Sequence, residues 1–129
     1  MRDIKFRGQR VDTKEWVYGL LVYLNVIRVF TTHKYWNEFT NSESEYQTTE
    51  DIKVIPETVG QYTGLPDKNG NEIYEGDVMD YGSGRIFYIT YVGCQFVATF
   101  NERVIITIIP IHNFEIIGNI HQNPELLQS

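Results

Sequence analysis

The stretch from Gly60 to Tyr81 constrains the fold more than any other part of the chain, because turn residues and strand residues alternate within it. Pro66 fixes φ, Asn69-Gly70 accepts positive φ, and the side chain of Asp67 is suited to hydrogen bonding its own backbone, so a tight reversal is predicted here. The segment that follows, Ile73–Tyr81, predicts a turn leading into a strand. A chain organised around this pattern is expected to be mainly β.

Short strands with close turns are predicted on both sides of this stretch. Aromatic residues make up 14% of the chain, which favours β structure because they fit pleated, half-buried surfaces. Such strands suit a small barrel that closes on itself to hide its edges. A short helix is predicted at the end, with Asn123 as N-cap and Pro124 in the first position. The other predicted strands are Asp3–Arg7, Trp16–Tyr23, Val26–Thr31, Asp51–Ile55, Val78–Tyr81, Arg85–Val92, Gln95–Phe100, Arg103–Ile109 and Phe114–Ile120.

Pro56 interrupts the extended pattern, and we place a boundary there between residues 1–55, an amino-terminal β unit, and residues 56–129, a barrel domain. Residues 41–50 are polar and predict a loop, the most mobile part of the chain. A unit of this size with a long loop buries little apolar surface. Exposed aromatic residues would be a liability on a monomer, which predicts tight packing or a homo-oligomer; they are Trp16, Tyr18, Tyr35 and Trp36.

Charge is uneven along the chain. The net charge of −6 falls on residues 56–129, whereas residues 1–55 are neutral. An acidic carboxy-terminal half repels phosphate backbones, so nucleic acid is an unlikely partner for it. The amino-terminal strand is locally basic, with Arg2, Lys5, Arg7, Arg10 and Lys14.

The lone Cys94 excludes an intramolecular disulfide and a cysteine zinc site, and predicts a small packed residue. The sequence shows no leader and no apolar run of the ~18 residues that a membrane span needs. These features predict a cytoplasmic protein with no membrane partner and no cofactor.

Two loops resemble ligand sites but predict ordinary turns. Asp67, Asn69 and Asn71 alternate as in a calcium loop, yet the glycine and the twelfth ligand of an EF-hand are missing. Gly82-Ser83-Gly84 resembles a phosphate cradle, but a strand rather than a helix is predicted after it.

Catalytic and metal-binding alternatives are weaker than structural ones. The three histidines, His33, His112 and His121, lack metal-ligand spacing, although a site shared by the last two stays open. Glu75, Asp77 and Asp80 suggest an acid–base cluster, but Asp77 is better explained as a cap for backbone amides.

Three groups of motifs resemble the signature of the YopX-like proteins of bacteriophages and prophages. The central group is Gln61–Leu65, Asp67–Gly70 and Ile73–Asp77; similar flanking motifs are Ile4–Gly8 with Glu15–Leu20, and Ile116–Leu127. The resemblance implies an SH3-like barrel in the carboxy-terminal part and no particular biochemical activity. The matching positions are interpreted as structural: Phe6, Arg7, Gly8, Trp16, Gly19, Gly64, Asn69, Gly70, Tyr74, Gly76, Asp77, Gly118, Asn119 and Pro124.

The sequence therefore predicts a non-enzymatic phage or prophage accessory protein that binds a host or phage protein and also itself, in the cytoplasm of the bacterial host. One alternative is a nucleic-acid-associated module that uses the basic amino-terminal strand, with Trp16, Tyr18 or Trp36 as stacking platforms. An enzyme is the third hypothesis, and no catalytic residue is predicted for it.

Overall fold

The computed structural model describes residues 4–82, 85–92, 95–100, 103–106 and 113–127. These residues are mainly β, as predicted, and their strands pair antiparallel. The chain divides into two compact units, Lys5–Val59 and a carboxy-terminal unit that begins at Gly60. Several sequence predictions lie outside the described residues: those for Arg2, Ser83-Gly84, Cys94, the end of the predicted strand at Thr107–Ile109, and His112.

The amino-terminal unit is a sheet with the strand order β4-β3-β2-β1. Its inner face is apolar where Ile27 on β3 lies opposite Ile52 on β4, and both side chains are buried with Val54. Alternate residues along the strands point to opposite faces, so the apolar positions of neighbouring strands collect on one side. The strands are β1 (Phe6–Gln9), β2 (Trp16–Tyr23), β3 (Val26–Asn37) and β4 (Ser42–Lys53).

The prediction of a loop over residues 41–50 is wrong. These residues form most of β4, which pairs with β3 in one uninterrupted register from Val26 opposite Lys53 to Asn37 opposite Ser42. The polar composition misled the prediction because hydrophobic alternation reports burial, whereas this strand is held by the ladder to β3 with both faces largely exposed. β3 is longer than predicted for the same reason.

The carboxy-terminal unit contains a hairpin and a five-stranded sheet. β5 (Gly60–Pro66) and β6 (Glu72–Tyr74) form the hairpin around the predicted reversal. The sheet order is β10-β9-β8-β7-β11, and its core contains Met79 from β7 with Phe87 and Ile89 from β8. The strands of the sheet are β7 (Asp77–Gly82), β8 (Arg85–Val92), β9 (Gln95–Phe100), β10 (Arg103–Ile106) and β11 (Glu115–Asn119).

This sheet differs from the predicted barrel. In the part of the chain that the structure describes, β10 and β11 are the two ends of the order and do not pair with each other, so the sheet is open rather than closed. Closure depends on which distant strands meet, and local turn signals carry no information about that. The predicted short helix is one 3₁₀ turn, Pro124–Leu127, and a second 3₁₀ turn covers Pro56–Thr58.

Candidate interaction surface

The Asp67 carboxylate fixes the central reversal. Its Oδ1 accepts hydrogen bonds from the backbone N–H groups of Asn69 and Asn71, both at 2.9 Å, and its Oδ2 accepts one from the N–H of Ile116 at 3.1 Å. The side chain is only 3% exposed. Burial alone would raise the pKa of Asp67, but the three N–H donors outweigh it and hold the pKa below its ordinary value. The carboxylate therefore serves the backbone rather than a calcium ion.

Asp77 and Gly76 join the central motif to the closing motif. The buried Asp77 carboxylate accepts a hydrogen bond from the N–H of Tyr74 at 2.7 Å, as the capping interpretation predicted. Gly76 has φ +93°, and a Cβ there would lie 3.3 Å from Nε2 of His121. The carbonyl of Gly76 also accepts a hydrogen bond from Ile120 at 2.9 Å. Only glycine suits this position.

Asn119 organises the chain after β11. Its side-chain oxygen accepts hydrogen bonds from the N–H groups of His121 and Gln122, and its own N–H donates to Oδ1 of Asn123. The remaining motif positions of this unit lie in its strands and turns: Gly64 in β5 and Gly70 in the reversal have positive φ, Tyr74 in β6 is buried against Tyr62, Gly118 in β11 approaches Asn123, and Pro124 begins the last 3₁₀ turn.

The motif positions of the amino-terminal unit surround β1. The guanidinium of Arg7 lies 4.5 Å from the ring centroid of Trp16, and Arg7 is buried. A Cβ at Gly19 would collide with the carbonyl oxygen of Arg28, because β2 and β3 approach closely there. Phe6 packs on the core, and Gly8 lies against Val54.

Two of the three carboxylates that suggested an acid–base cluster accept hydrogen bonds from nearby backbone N–H groups. Asp77 is occupied by the Tyr74 amide, while Oδ1 of Asp80 accepts a hydrogen bond from the N–H of Gly82 at 2.7 Å. His33 lies on β3 and His121 follows β11, while the suggested site of His121 with His112 involves a residue outside the described ranges. Within the described ranges, no group of three or more His, Cys, Asp or Glu side chains is placed to hold a metal ion.

The outer half of the β3–β4 hairpin exposes several large aromatic side chains. We call this segment, Phe30–Asn37 with Ser42–Thr49, the hairpin arm. Trp36 is 60% exposed, and Phe39 in the connecting turn is fully exposed. Phe30, Tyr35 and Tyr46 are also about half exposed. Apolar side chains of this size on a solvent-exposed arm are typical of an interaction surface.

One face of the hairpin arm is aromatic and free of carboxylates. It continues the face on which Ile27 and Ile52 are buried, and we call it the neutral face. His33 stacks on the directly opposite Tyr46 at a centroid distance of 4.9 Å, and Tyr35 approaches the same ring at 6.0 Å. Nε2 of His33 is 2.8 Å from Oγ1 of Thr48. These contacts order the rings while leaving them exposed.

The opposite face of the hairpin arm carries the charges, and we call it the charged face. Trp36 lies opposite Glu43, Lys34 opposite Glu45, and Phe30 opposite Thr49. In the part of the hairpin arm that the structure describes, neither Glu43 nor Glu45 makes an ion pair. An exposed indole beside an unneutralised carboxylate is suited to a cationic group.

Comparison with known proteins agrees with the motif geometry. The family model described as YopX protein matches residues 5–128, nearly the whole chain. The chain belongs to the YopX family. The match spans both units, so the central, opening and closing motifs that hold the turns together are parts of one family pattern.

This YopX family chain is similar to a solved structure, the crystal structure of protein EF1440 from Enterococcus faecalis. The two are 26% identical with a TM-score of 0.61, and the likeness covers 99% of this chain and 100% of that one. A comparison with curated proteins gave no match. Among the residues described for this YopX chain, no helix is long and apolar enough to cross a membrane.

Sequence reasoning placed Tyr35 and Trp36 among the exposed aromatics but missed the carboxylates that face them. Glu43 and Glu45 were assigned to a loop, although their alternation with Ser42 and Ser44 has the two-residue period of a strand. That alternation is the signal that indicates a charged face. The predicted exposure of Trp16 is only partial, because Arg7 covers its ring.

Proposed function

We propose that this YopX family protein is a non-enzymatic phage or prophage accessory protein that binds proteins, including a second copy of itself, through the hairpin arm. The observation that supports this most is the exposure of five aromatic rings on the hairpin arm and its connecting turn, namely Phe30, Tyr35, Trp36, Phe39 and Tyr46. A two-stranded hairpin without a cover is marginally stable in water, so a partner that covers it would stabilise it. We place the protein in the cytoplasm of the bacterial host.

The neutral face is the surface that best suits self-association. In a chain of net charge −6, two identical acidic surfaces repel each other, whereas an aromatic surface without carboxylates does not. Tyr35 and Tyr46 supply apolar area with a polar tip, and His33 adds a stacked ring. Each copy would present the same patch to the other, as a two-fold interface requires.

The neutral face is small, which bounds the strength of the dimer. Eight residues of strand span about 27 Å, and two strands are about 10 Å wide with their side chains, so the face alone buries less than the ~800 Å² per partner of a standard interface. We therefore expect a dimer in the micromolar range rather than an obligate one.

Sedimentation velocity across a concentration series tests this proposal. We expect the wild-type protein to shift toward twice the monomer mass as concentration rises, and the Tyr35→Ser/Tyr46→Ser variant to remain a monomer. Trp36→Ser is the matched control, since it removes an exposed ring from the charged face. A wild-type protein that stays monomeric at high concentration would overturn self-association, and equal effects of both variants would overturn the assignment to the neutral face.

A role in nucleic-acid binding has less support from the geometry. Two of the five basic residues predicted for it are engaged within the amino-terminal unit: Arg7 is buried over Trp16, and Arg10 is paired with Asp12 at 2.9 Å. The hairpin arm, where Trp36 is exposed, carries carboxylates that repel phosphate. The proposed function requires no catalytic step and no cofactor.

A further inference from the structure

We propose that β4 is a docking edge for an extended, lysine- or arginine-rich segment of a partner protein, which adds to the sheet as a further strand. This inference rests on the proposed protein-binding function and names the chemistry of the partner. It concerns the edge and the charged face of the hairpin arm, not the neutral face assigned to self-association.

The edge of β4 is long and regular. β4 runs from Ser42 to Lys53 without a bulge and contains no proline, and in the described sheet it lies at the end of the strand order with β3 as its one neighbour. The outward-facing backbone groups of such a strand are available to another chain. Addition of an extended peptide to an exposed edge is a common recognition mode.

One end of this edge already receives a short piece of extended chain. The N–H of Val11 donates to the carbonyl of Lys53 at 3.2 Å, and Arg10 forms a bridge with Val54. A groove of about 290 Å³ lies between Arg10–Asp12 and Glu50–Lys53. The chain itself therefore occupies the edge at Lys53, the last residue of β4. The groove extends from there along β4 as far as Glu50.

The charged side chains of β4 indicate which kind of partner strand would fit its edge. β4 contains four carboxylates, at Glu43, Glu45, Glu50 and Asp51, against the single cation Lys53. Asp51 is paired with Arg28, at 2.8 Å between Oδ1 and Nε, but no ion pair engages the three glutamates within the described residues. Opposite charges on neighbouring strands are stabilising. A strand with basic side chains at alternate positions would meet Glu43 and Glu45 on the charged face.

The same charges disfavour a second copy of β4 as the occupant. Antiparallel pairing of two copies about the middle of the strand places Glu43 opposite Asp51 in one register; in the next, Glu45 lies opposite Asp51 and Glu43 lies opposite Lys53. Like charges directly opposite each other destabilise a strand pair. A second copy therefore meets like charges that a basic segment would not meet, so the edge favours the basic segment.

Titration calorimetry with synthetic peptides tests the proposal on the full-length protein. The probe is a short peptide in which lysine alternates with valine. Its controls are the same peptide with glutamate in place of lysine, and the lysine peptide with every second backbone nitrogen methylated. We expect the lysine peptide to bind, with an affinity that falls as salt rises. Neither control peptide should bind measurably, because the first has the wrong charge and the second cannot complete the backbone ladder.

The variant Glu43→Gln/Glu45→Gln separates the charged face from the rest of the molecule. We expect its affinity for the lysine peptide to fall about five- to tenfold, as for two lost charge pairs at a partly exposed surface. Glu57→Gln/Glu125→Gln makes the same change in net charge at exposed positions outside the hairpin arm, and should bind as the wild type does.

Three results would overturn the proposal: equal binding of the lysine and glutamate peptides, equal binding of the methylated peptide, or equal losses in the two double variants. A rise in mass on neutralising Glu43 and Glu45 would show that a second copy fits the edge, which also overturns it. The Tyr35→Ser/Tyr46→Ser variant should keep its affinity for the lysine peptide, so a failure of self-association and a failure of peptide binding are distinguishable.

Discussion

Polar side chains are buried in the turns of the carboxy-terminal unit and exposed in the hairpin arm of the amino-terminal unit. In the turns, Asp67, Asp77 and Asn119 are buried and accept hydrogen bonds from backbone N–H groups. In the hairpin arm, the carboxylates of Glu43 and Glu45 face solvent beside exposed aromatic rings. Buried polar groups that are satisfied by the backbone stabilise one conformation, whereas exposed ones remain available to a partner.

The difference teaches where function is expected in this chain. The family motif positions lie in the strands and turns of both units, where the contacts described above are with other parts of the same unit, and we propose that they serve the fold. The hairpin arm lies outside those motifs and has the composition of an interface. Stability and recognition are thus assigned to separate parts of the molecule, and mutations should separate them too.

The largest effect is expected from Phe87→Ala in the carboxy-terminal core. Phe87 is fully buried and contacts the ring of Phe114 edge-on, with 5.8 Å between centroids. Removing the ring should lower the free energy of unfolding by about 3–5 kcal/mol, because apolar burial is lost and a cavity is left. Urea unfolding followed by circular dichroism measures this.

Trp36→Ala is the matched change in the hairpin arm. Its indole is 60% exposed, so the free energy of unfolding should change by no more than about 0.5 kcal/mol at low protein concentration. A loss as large as that of Phe87→Ala would contradict the comparison, since it would mean that the hairpin arm is packed as firmly as the core.

An effect smaller than that of Phe87→Ala is expected from Asp67→Ala, which removes the acceptor of three backbone N–H groups. We expect the free energy of unfolding to fall by about 2–3 kcal/mol, since part of the lost hydrogen bonding is replaced by water at the turn. Asp80→Ala is the control, because that carboxylate accepts a hydrogen bond from the N–H of Gly82 and is less buried. Equal losses in the two variants would show that the additional hydrogen bonds of Asp67 add nothing.

The reversal at Asp67 could be predicted from the sequence because its determinants are local. Proline, asparagine and glycine set φ within a few residues, and the Asp67 side chain bonds backbone groups two and four positions later. The third hydrogen bond, to Ile116, joins residues 49 positions apart and has no signal in the turn itself. The open order of the five-stranded sheet could not be predicted for the same reason, since it depends on which distant strands meet.

The hairpin arm was missed for a different physical reason. Hydrophobic alternation marks strands that bury one face, and the strand from Ser42 to Thr49 buries neither. Its strand character comes from the backbone ladder to β3 and from Thr48, Thr49 and Tyr46, which suit an extended conformation. A surface that is exposed on both sides was therefore interpreted as a loop, and the acidic part of the candidate site was lost with it.

The last and most specific expected effect is on the pH dependence of the free energy of unfolding. The pKa of Asp67 is lower in the folded protein than its ordinary value of 3.8, since its N–H donors outweigh the opposing effect of burial. A carboxyl whose pKa is lowered by folding stabilises the fold above its unfolded pKa, and this contribution is lost as pH falls through the folded pKa. The free energy of unfolding, measured from pH 6 down to pH 2, a range of about four units around that value, should therefore show wild type losing its advantage over Asp67→Asn on the acid side.

Asp51→Asn is the contrasting change in the amino-terminal unit, because the pKa of Asp51 is lowered by the hydrogen bonds that it accepts from Arg28 at an exposed position. Its stability should follow the wild-type curve closely. If the difference between wild type and Asp67→Asn is the same at both ends of the range, folding does not shift the pKa of Asp67, and the contrast between the turns and the hairpin arm loses its electrostatic basis.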